Sequence, residues 1–176
     1  MELSKVKAAM LLEEMFNDFE MIYPYYRLQE AGAEVTVVGP RAGAVYRSKL
    51  GLPWTAKAGM DQVKPEDFDA IVIPGGYAPD HMRRHKAMVN LVREIFRAGK
   101  VVAAICHGGW MLASAEVVQD RDVTSFFSIR DDLRHAGARW RDQEVVVDGN
   151  LITSRQPDDL PAFMREVLKA LERQKN

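Results

Sequence analysis

The stretch GKVVAAICHGG, residues 99–109, decides the fold. Its five consecutive apolar residues, Val101 to Ile105, read as a central parallel strand covered on both faces, because a strand with one wet face would alternate polar and apolar positions. Gly99 in front of it is the stop signal of a preceding helix. Behind it, Ala104, Cys106 and Gly108 spell small-x-nucleophile-x-small between a strand and a helix. That is the layout of a nucleophile elbow, a tight turn that lifts one side chain above the sheet and needs small flanks to do so.

Upstream, Met88, Leu91, Val92, Ile95 and Phe96 share one face of a helix predicted over about 85–98. It follows FDAIVIPGG (68–76), a second buried strand that ends in a Pro-Gly-Gly turn. The chain begins with a strand at 6–12 (VKAAMLL). A helix from about Glu20 to Ala31 comes next, carrying Ile22, Tyr25 and Leu28 and closed by Gly32. A β-branched strand at 34–38 (EVTVV) ends at Gly39 and Pro40. Residues 40–68 read as a short hairpin and loops. Downstream come a helix from Gly108 to about Glu116 and helical structure near 128–136. The runs 144–147 (EVVV) and 151–154 (LITS) form a hairpin around Asp148-Gly149-Asn150. The last helix starts at Asp159, with Asp158 or Asp159 as N-cap and a stripe of Phe163, Val167, Leu168 and Leu171. Strands alternating with helices imply βαβ units. The expected fold is α/β, a three-layer α/β/α sandwich in one domain, 1–176, with a mostly parallel, flavodoxin-like sheet.

Composition removes several classes of function. The 24 Lys and Arg residues balance 25 Asp and Glu, for a formal net charge of -1, so no bulk positive surface calls for nucleic acid or an anionic membrane. No apolar run reaches the roughly 20 residues of a membrane span. Glu13 and Glu14 interrupt the N-terminal apolar run, which excludes a secretory signal there. A single cysteine makes no internal disulfide. The expectation is a cytoplasmic protein with no membrane contact.

Ligands of open parallel sheets bind beyond the C-terminal ends of the strands, which points to PGGYAPD (74–80) and CHGG (106–109). At a helix start, free amides and the dipole favour a Cys106 thiolate and an oxyanion. The competing reading is a small buried hydrophobe. Adjacency alone does not place His107 on the thiol, since neighbours at a helix start diverge by about 100°, and a structural histidine is the alternative. His81 and His85, in the basic run HMRRHK, read as solvated, and His135 has no stronger case. No Cys/His grouping has metal-site spacing, so no metal and no cofactor are expected. Gly75 and Gly76 are free to take positive φ and to turn their amides toward the elbow. Of the acidic cluster Glu13, Glu14, Asp18 and Glu20, one member reaches the cleft and the others read as solvated charge.

FEMIYPYYRLQEAGAEV (19–35), PEDFDAIVIPGGYAPD (65–80), GKVVAAICHG (99–108), DDLRHAGARW (131–140) and DQEVVVDGNLITSRQPDDLPAFMREVL (142–168) run in order through nearly the whole chain. In these blocks the sequence resembles the ThiJ/PfpI superfamily, specifically its PfpI-type intracellular protease and general stress protein branch. The resemblance implies that Cys106 is the elbow nucleophile and His107 its adjacent histidine. Glu20, four residues before Pro24, then hydrogen-bonds the thiol. The amides of Gly76 and His107 form an oxyanion hole, and Asp80 is offered to the histidine of a neighbouring subunit in a homodimer or hexamer. In the archetypal protease that acid is a glutamate, and Asp80 is shorter by one methylene, about 1.5 Å. The departure favours a small carbonyl substrate over a peptide. The implied function is a stress-protective, cofactor-free hydrolase of deglycase or glyoxalase type, acting on methylglyoxal, glyoxal or their early adducts on protein. The alternatives are a Cys-His-Asp peptidase, and a redox sensor or chaperone that uses oxidation of Cys106.

Overall fold

A computed structural model describes residues 3–175; Met1, Glu2 and Asn176, the ends of the expected domain, lie outside the described residues. Along the chain run β1 (Lys7–Leu11), α1 (Asp18–Glu30), β2 (Glu34–Gly39), β3 (Val45–Arg47), β4 (Pro53–Thr55), β5 (Ala58–Gly59), β6 (Ala70–Ile73), α2 (Ala78–Met82) and α3 (Lys86–Arg97). Then follow β7 (Val101–Ile105), α4 (Gly109–Ser114), β8 (Asp122–Val123), α5 (Arg130–His135), β9 (Arg139–Trp140), β10 (Val145–Asp148), β11 (Leu151–Ser154) and α6 (Leu160–Lys175).

The main sheet has seven strands in the order β10-β11-β7-β6-β1-β2-β5. All its pairings are parallel except the β10–β11 hairpin. β7 lies between β6 and β11 with Val102 opposite Ile71 and Leu151, and all five of its residues are buried. That two-sided burial is what the unbroken apolar run requires. α1 and α6 pack together over one face, while α3, packed on α4, covers β6 and β7 on the other. The result is the three-layer α/β/α sandwich.

From β1 the chain passes to β2 on one side and later returns to β6 on the other. The strand order therefore reverses between β1 and β6, the position beyond which ligands of open α/β sheets bind. The loops after β1, β6 and β7 all open at this end of the sheet.

Local signals hold with small shifts of boundary. Gly32 and Gly99 end α1 and α3 at φ +92° and +73°, the left-handed conformation glycine takes without strain. Met88, Leu91, Val92 and Ile95 of α3 are buried, and so are Phe163, Val167, Leu168 and Leu171 of α6. Burying side chains of this size contributes roughly 1.5–3 kcal/mol each. Asp159 is engaged differently from a cap, since Arg155 grips its carboxylate through Nε at 2.9 Å and Nη2 at 3.1 Å. The irregular stretch contains the expected hairpin, β3 against β4. The parallel pair β8–β9 was not foreseen, because two-residue strands carry no periodicity. Among the described residues no helix is long and apolar enough to cross a membrane.

Candidate active site

Cys106 follows β7 directly and takes φ +60°, a conformation most non-glycine residues avoid. It opens a single 3-10 turn, Cys106–Gly108, that leads into α4. The small flanks are needed here: a Cβ on Gly108 would sit 2.8 Å from the Ile73 carbonyl oxygen and 3.3 Å from Ala104 Cβ. The strained turn places the thiol beyond the C-terminal end of β7 with 7% of the residue exposed.

Glu20 arrives from α1. The Asn17 side chain caps that helix, accepting from the amides of Phe19 and Glu20 at 3.1 and 3.3 Å, which fixes where the first turn points. Glu20 is fully buried, and its Oε2 accepts from the Gly75 amide at 2.7 Å. Oε1 is buried as well and accepts no hydrogen bond among the described residues. Burial is the main reason the Glu20 carboxyl is pushed up to about 7. A Cβ on Gly75 would meet Glu20 Oε2 at 2.5 Å, Cys106 Cβ at 2.7 Å and the His107 nitrogen at 3.0 Å. Glycine is what lets these three groups converge. Gly76, at φ +76°, turns the chain back so that the loops after β1 and β6 are joined by two main-chain bonds, Asn17 N to Gly75 O at 3.2 Å and Tyr77 N to Met15 O at 2.9 Å.

The amides of Gly76 and His107 both reach the Cys106 sulfur. The Gly75 amide, expected among the oxyanion donors, is instead committed to Glu20. Helix-start amides were expected to lower the thiol pKa, and here they are outweighed. Burial first, and the Glu20 charge second, push Cys106 up to about 12. His107 does reach its neighbour: Nδ1 lies 3.2 Å from the Cys106 sulfur, because the 3-10 turn folds the ring back over it. The ring stacks on Phe126 with centroids 5.1 Å apart and meets Trp110 edge-on at 5.0 Å. Burial, and then the Lys49 charge, hold His107 below its ordinary pKa.

Asp80 lies at the foot of α2, where its carboxylate pairs with Arg84 one turn on, so within one chain it does not serve His107. His107 Nε2 faces Ser128 Oγ at 3.2 Å instead. Three residues read as solvated, His85, Glu13 and Asp18, are placed otherwise. His85 Nε2 lies 3.2 Å from Glu13 Oε1, and buried Asp18 accepts from the Ser48 hydroxyl and the Leu50 amide. His81 packs against the Tyr77 ring. Ser128, Phe126 and Trp110 were missed by sequence reasoning, since nothing local marks a loop serine that meets a histidine 21 positions away. Asn17 had a signal, a capping residue just ahead of an acidic first turn.

Residues 6–170, which include every site residue named above, match the DJ-1/PfpI family. This chain belongs to the DJ-1/PfpI family. It is similar to "Deglycase PfpI" of Pyrococcus furiosus, 45% identical over 167 residues, spanning 95% of this chain and 100% of that one. It is also similar to "General stress protein 18" of Bacillus subtilis, 41% identical over 169 residues, 95% of this chain and 98% of that one. Among solved structures, DJ-1beta of Drosophila melanogaster superposes with a TM-score of 0.89 at 29% identity, covering 97% of this chain and 91% of its own. The DJ-1/PfpI assignment agrees with the mostly parallel sheet and its flanking helices.

Proposed function

We propose that this chain is a deglycase-type thiol enzyme that converts methylglyoxal, glyoxal or their early adducts on protein into 2-hydroxy acids, with Cys106 as nucleophile and no cofactor. The observation that carries this reading is a single sulfur set between two proton carriers, Glu20 and His107 Nδ1, with two main-chain amides aimed at it. The deglycase name of a relative with 45% identity supports the same chemistry.

The thiol proton moves to His107 Nδ1 as the sulfur attacks the aldehyde carbon, and the carbonyl electron pair goes to oxygen. That oxygen, held by the Gly76 and His107 amides, takes the proton back to give a hemithioacetal. Glu20, poised near neutrality, then removes the proton from the former aldehyde carbon and returns one to the neighbouring carbon, while the hydroxyl proton on the first carbon passes to the carbonyl oxygen of the second, which leaves a 2-hydroxy thioester. Water cleaves the thioester, releasing the 2-hydroxy acid and the thiol. The sum is substrate plus water, with no external oxidant or reductant.

A peptidase would need an acid behind His107, and Asp80 would have to leave Arg84 and cross to a second subunit of a dimer or hexamer to supply it. A sensor built on a low-pKa thiolate is disfavoured by the raised Cys106 pKa. Cytoplasmic location and homo-oligomerisation belong to the same proposal.

The test is lactate formed from methylglyoxal in amine-free buffer, by the wild type and by Cys106→Ser. Loss of lactate in the variant is expected; equal lactate from both would overturn the mechanism.

A further inference from the structure

The proposed reaction develops negative charge on two oxygens in turn, and the groups named so far serve only the first. The amides of Gly76 and His107 are aimed at the sulfur and hold the hemithioacetal oxygen. The Gly75 amide is taken by Glu20 Oε2 at 2.7 Å. When Glu20 draws the proton from the former aldehyde carbon, the electron pair left behind forms a carbon–carbon double bond. The pair of the neighbouring carbonyl is pushed onto its oxygen, giving an enediolate. A carboxyl titrating near 7 is a weak base for a carbon acid, so this step calls for a positive group at the second oxygen.

The tip of the β3–β4 hairpin, residues 48–52, brings one. Ser48 is buried there, donating to Asp18 of α1 and accepting from the amides of Leu50 at 3.2 Å and Leu52 at 2.9 Å. The Lys49 amide donates to the Phe16 carbonyl at 2.9 Å, and Phe16 forms β-bridges with both Ser48 and Gly76. Two such spacings separate the hairpin tip from the Pro-Gly-Gly turn by about 10 Å, of which a lysine side chain covers roughly 6 Å. Lys49 is exposed, and its ammonium enters no ion pair or hydrogen bond among the described residues. Its charge is felt on both flanks of the sulfur, favouring the ionised form of Glu20 and the neutral form of His107. Nearby arginines are engaged elsewhere: Arg47 by the Gly51 carbonyl at 3.3 Å, Arg83 by Ser114 Oγ at 2.9 Å and Arg84 by Asp80.

We propose that Lys49 is a further catalytic residue, its ammonium donating a hydrogen bond to the enediolate oxygen on the second carbon of the substrate. Lys49 keeps its own proton throughout. It holds the oxygen while that atom is negative, the hydroxyl proton of the first carbon then settles there, and the double-bond pair takes the proton back from Glu20 at the second carbon. A compact ammonium on a flexible stem suits a small substrate that leaves after each turnover. The role also narrows the substrate class to 2-oxoaldehydes and their early adducts, since a simple aldehyde has no second oxygen for Lys49 to hold. It is independent of the acid that a neighbouring subunit offers to His107, which meets the imidazole rather than the substrate. This assignment deepens the function proposed above and rests on it.

The test compares the full chain with its Lys49→Met and Lys49→Arg variants. Because Lys49 is exposed, both variants should keep Tm and the rate of Cys106 alkylation by iodoacetamide near those of the wild type. In lactate assays, Lys49→Met should lower kcat about 100-fold with KM little changed, and Lys49→Arg should restore a large part of it. A Lys49→Met variant with kcat within about twofold of wild type would overturn the assignment. So would a loss shared equally by Lys49→Arg and matched by slower alkylation, which marks a hairpin tip of merely structural importance. A second arm needs no turnover. Glycolohydroxamate, a planar mimic of an enediolate, should bind the wild type at least about tenfold more tightly than Lys49→Met in calorimetric titration. Equal affinities, or none in the wild type, would overturn the assignment. A wild type that makes no lactate would sink the proposed reaction, while the hydroxamate comparison would still decide whether Lys49 holds an anionic oxygen at this site.

Discussion

The Glu20 carboxyl and the Cys106 thiol converge on Gly75, where a Cβ would fall 2.5 Å from Glu20 Oε2 and 2.7 Å from Cys106 Cβ, and the amide of Gly75 is bonded to Glu20 Oε2 at 2.7 Å. Two acids so close titrate as a pair. Burial lifts both, and the negative charge of Glu20 lifts the thiol further.

Removing that charge should therefore wake the thiol. Glu20→Gln keeps an oxygen for the Gly75 amide and deletes the repulsion. Alkylation of Cys106 by iodoacetamide at pH 8 is expected to accelerate about tenfold, the thiolate gain for one unit of pKa. An unchanged or slower rate would show that the carboxylate does not suppress the thiolate. The same variant should lose lactate production despite its more reactive sulfur, because the carbon-to-carbon proton transfer has no carrier.

Stability should fall as pH rises through neutrality. The folded state holds Glu20 near 7 against an ordinary 4.5, so it binds the proton more tightly than the unfolded chain does. The contribution is complete below about 4.5 and is lost as pH climbs through about 7. A shift of about 2.5 units corresponds to roughly 3 kcal/mol. His107, lowered by burial, works in the opposite sense at the acidic end of this window. The clean measurement is the difference between wild type and Glu20→Gln in urea unfolding at pH 5 and pH 8.5. The variant's relative stability should rise by up to about 3 kcal/mol between the two, and a flat difference would contradict the raised carboxyl.

Gly75→Ala should damage both folding and chemistry. The added methyl would fall 2.5 Å from Glu20 Oε2 and 2.7 Å from Cys106 Cβ, so something has to move. Overpacking of this kind costs about 1–3 kcal/mol, and the groups displaced are the proton carrier and the nucleophile. A variant with wild-type lactate rate and unchanged unfolding midpoint would mean that the convergence at Gly75 is slack.

How much of this was legible in the sequence follows from the range of each interaction. The strand Val101–Ile105, the α3 stripe and the helix-ending glycines are local patterns, and they fell where periodicity puts them. The elbow was legible because its steric demand is written in three nearby residues, Ala104, Cys106 and Gly108. Glu20 stood out only through the family resemblance; among four nearby acids, nothing in spacing distinguishes it from Asp18, which is buried on Ser48 instead. The direction of the Cys106 shift was misread because the helix-start effect is local, whereas the burial and the Glu20 charge that outweigh it come from elements far away in sequence. Ser128 was invisible for the same reason: its meaning comes from a contact across 21 positions.

The pair of main-chain bonds between Asn17 and Gly75 and between Tyr77 and Met15 has a dynamic consequence. Neither loop is a hinge on its own, since lifting one drags the other and pulls on the ends of β1 and β6. That flank of the site opens all at once or stays shut, so its opening is an event of local unfolding rather than of loop flapping.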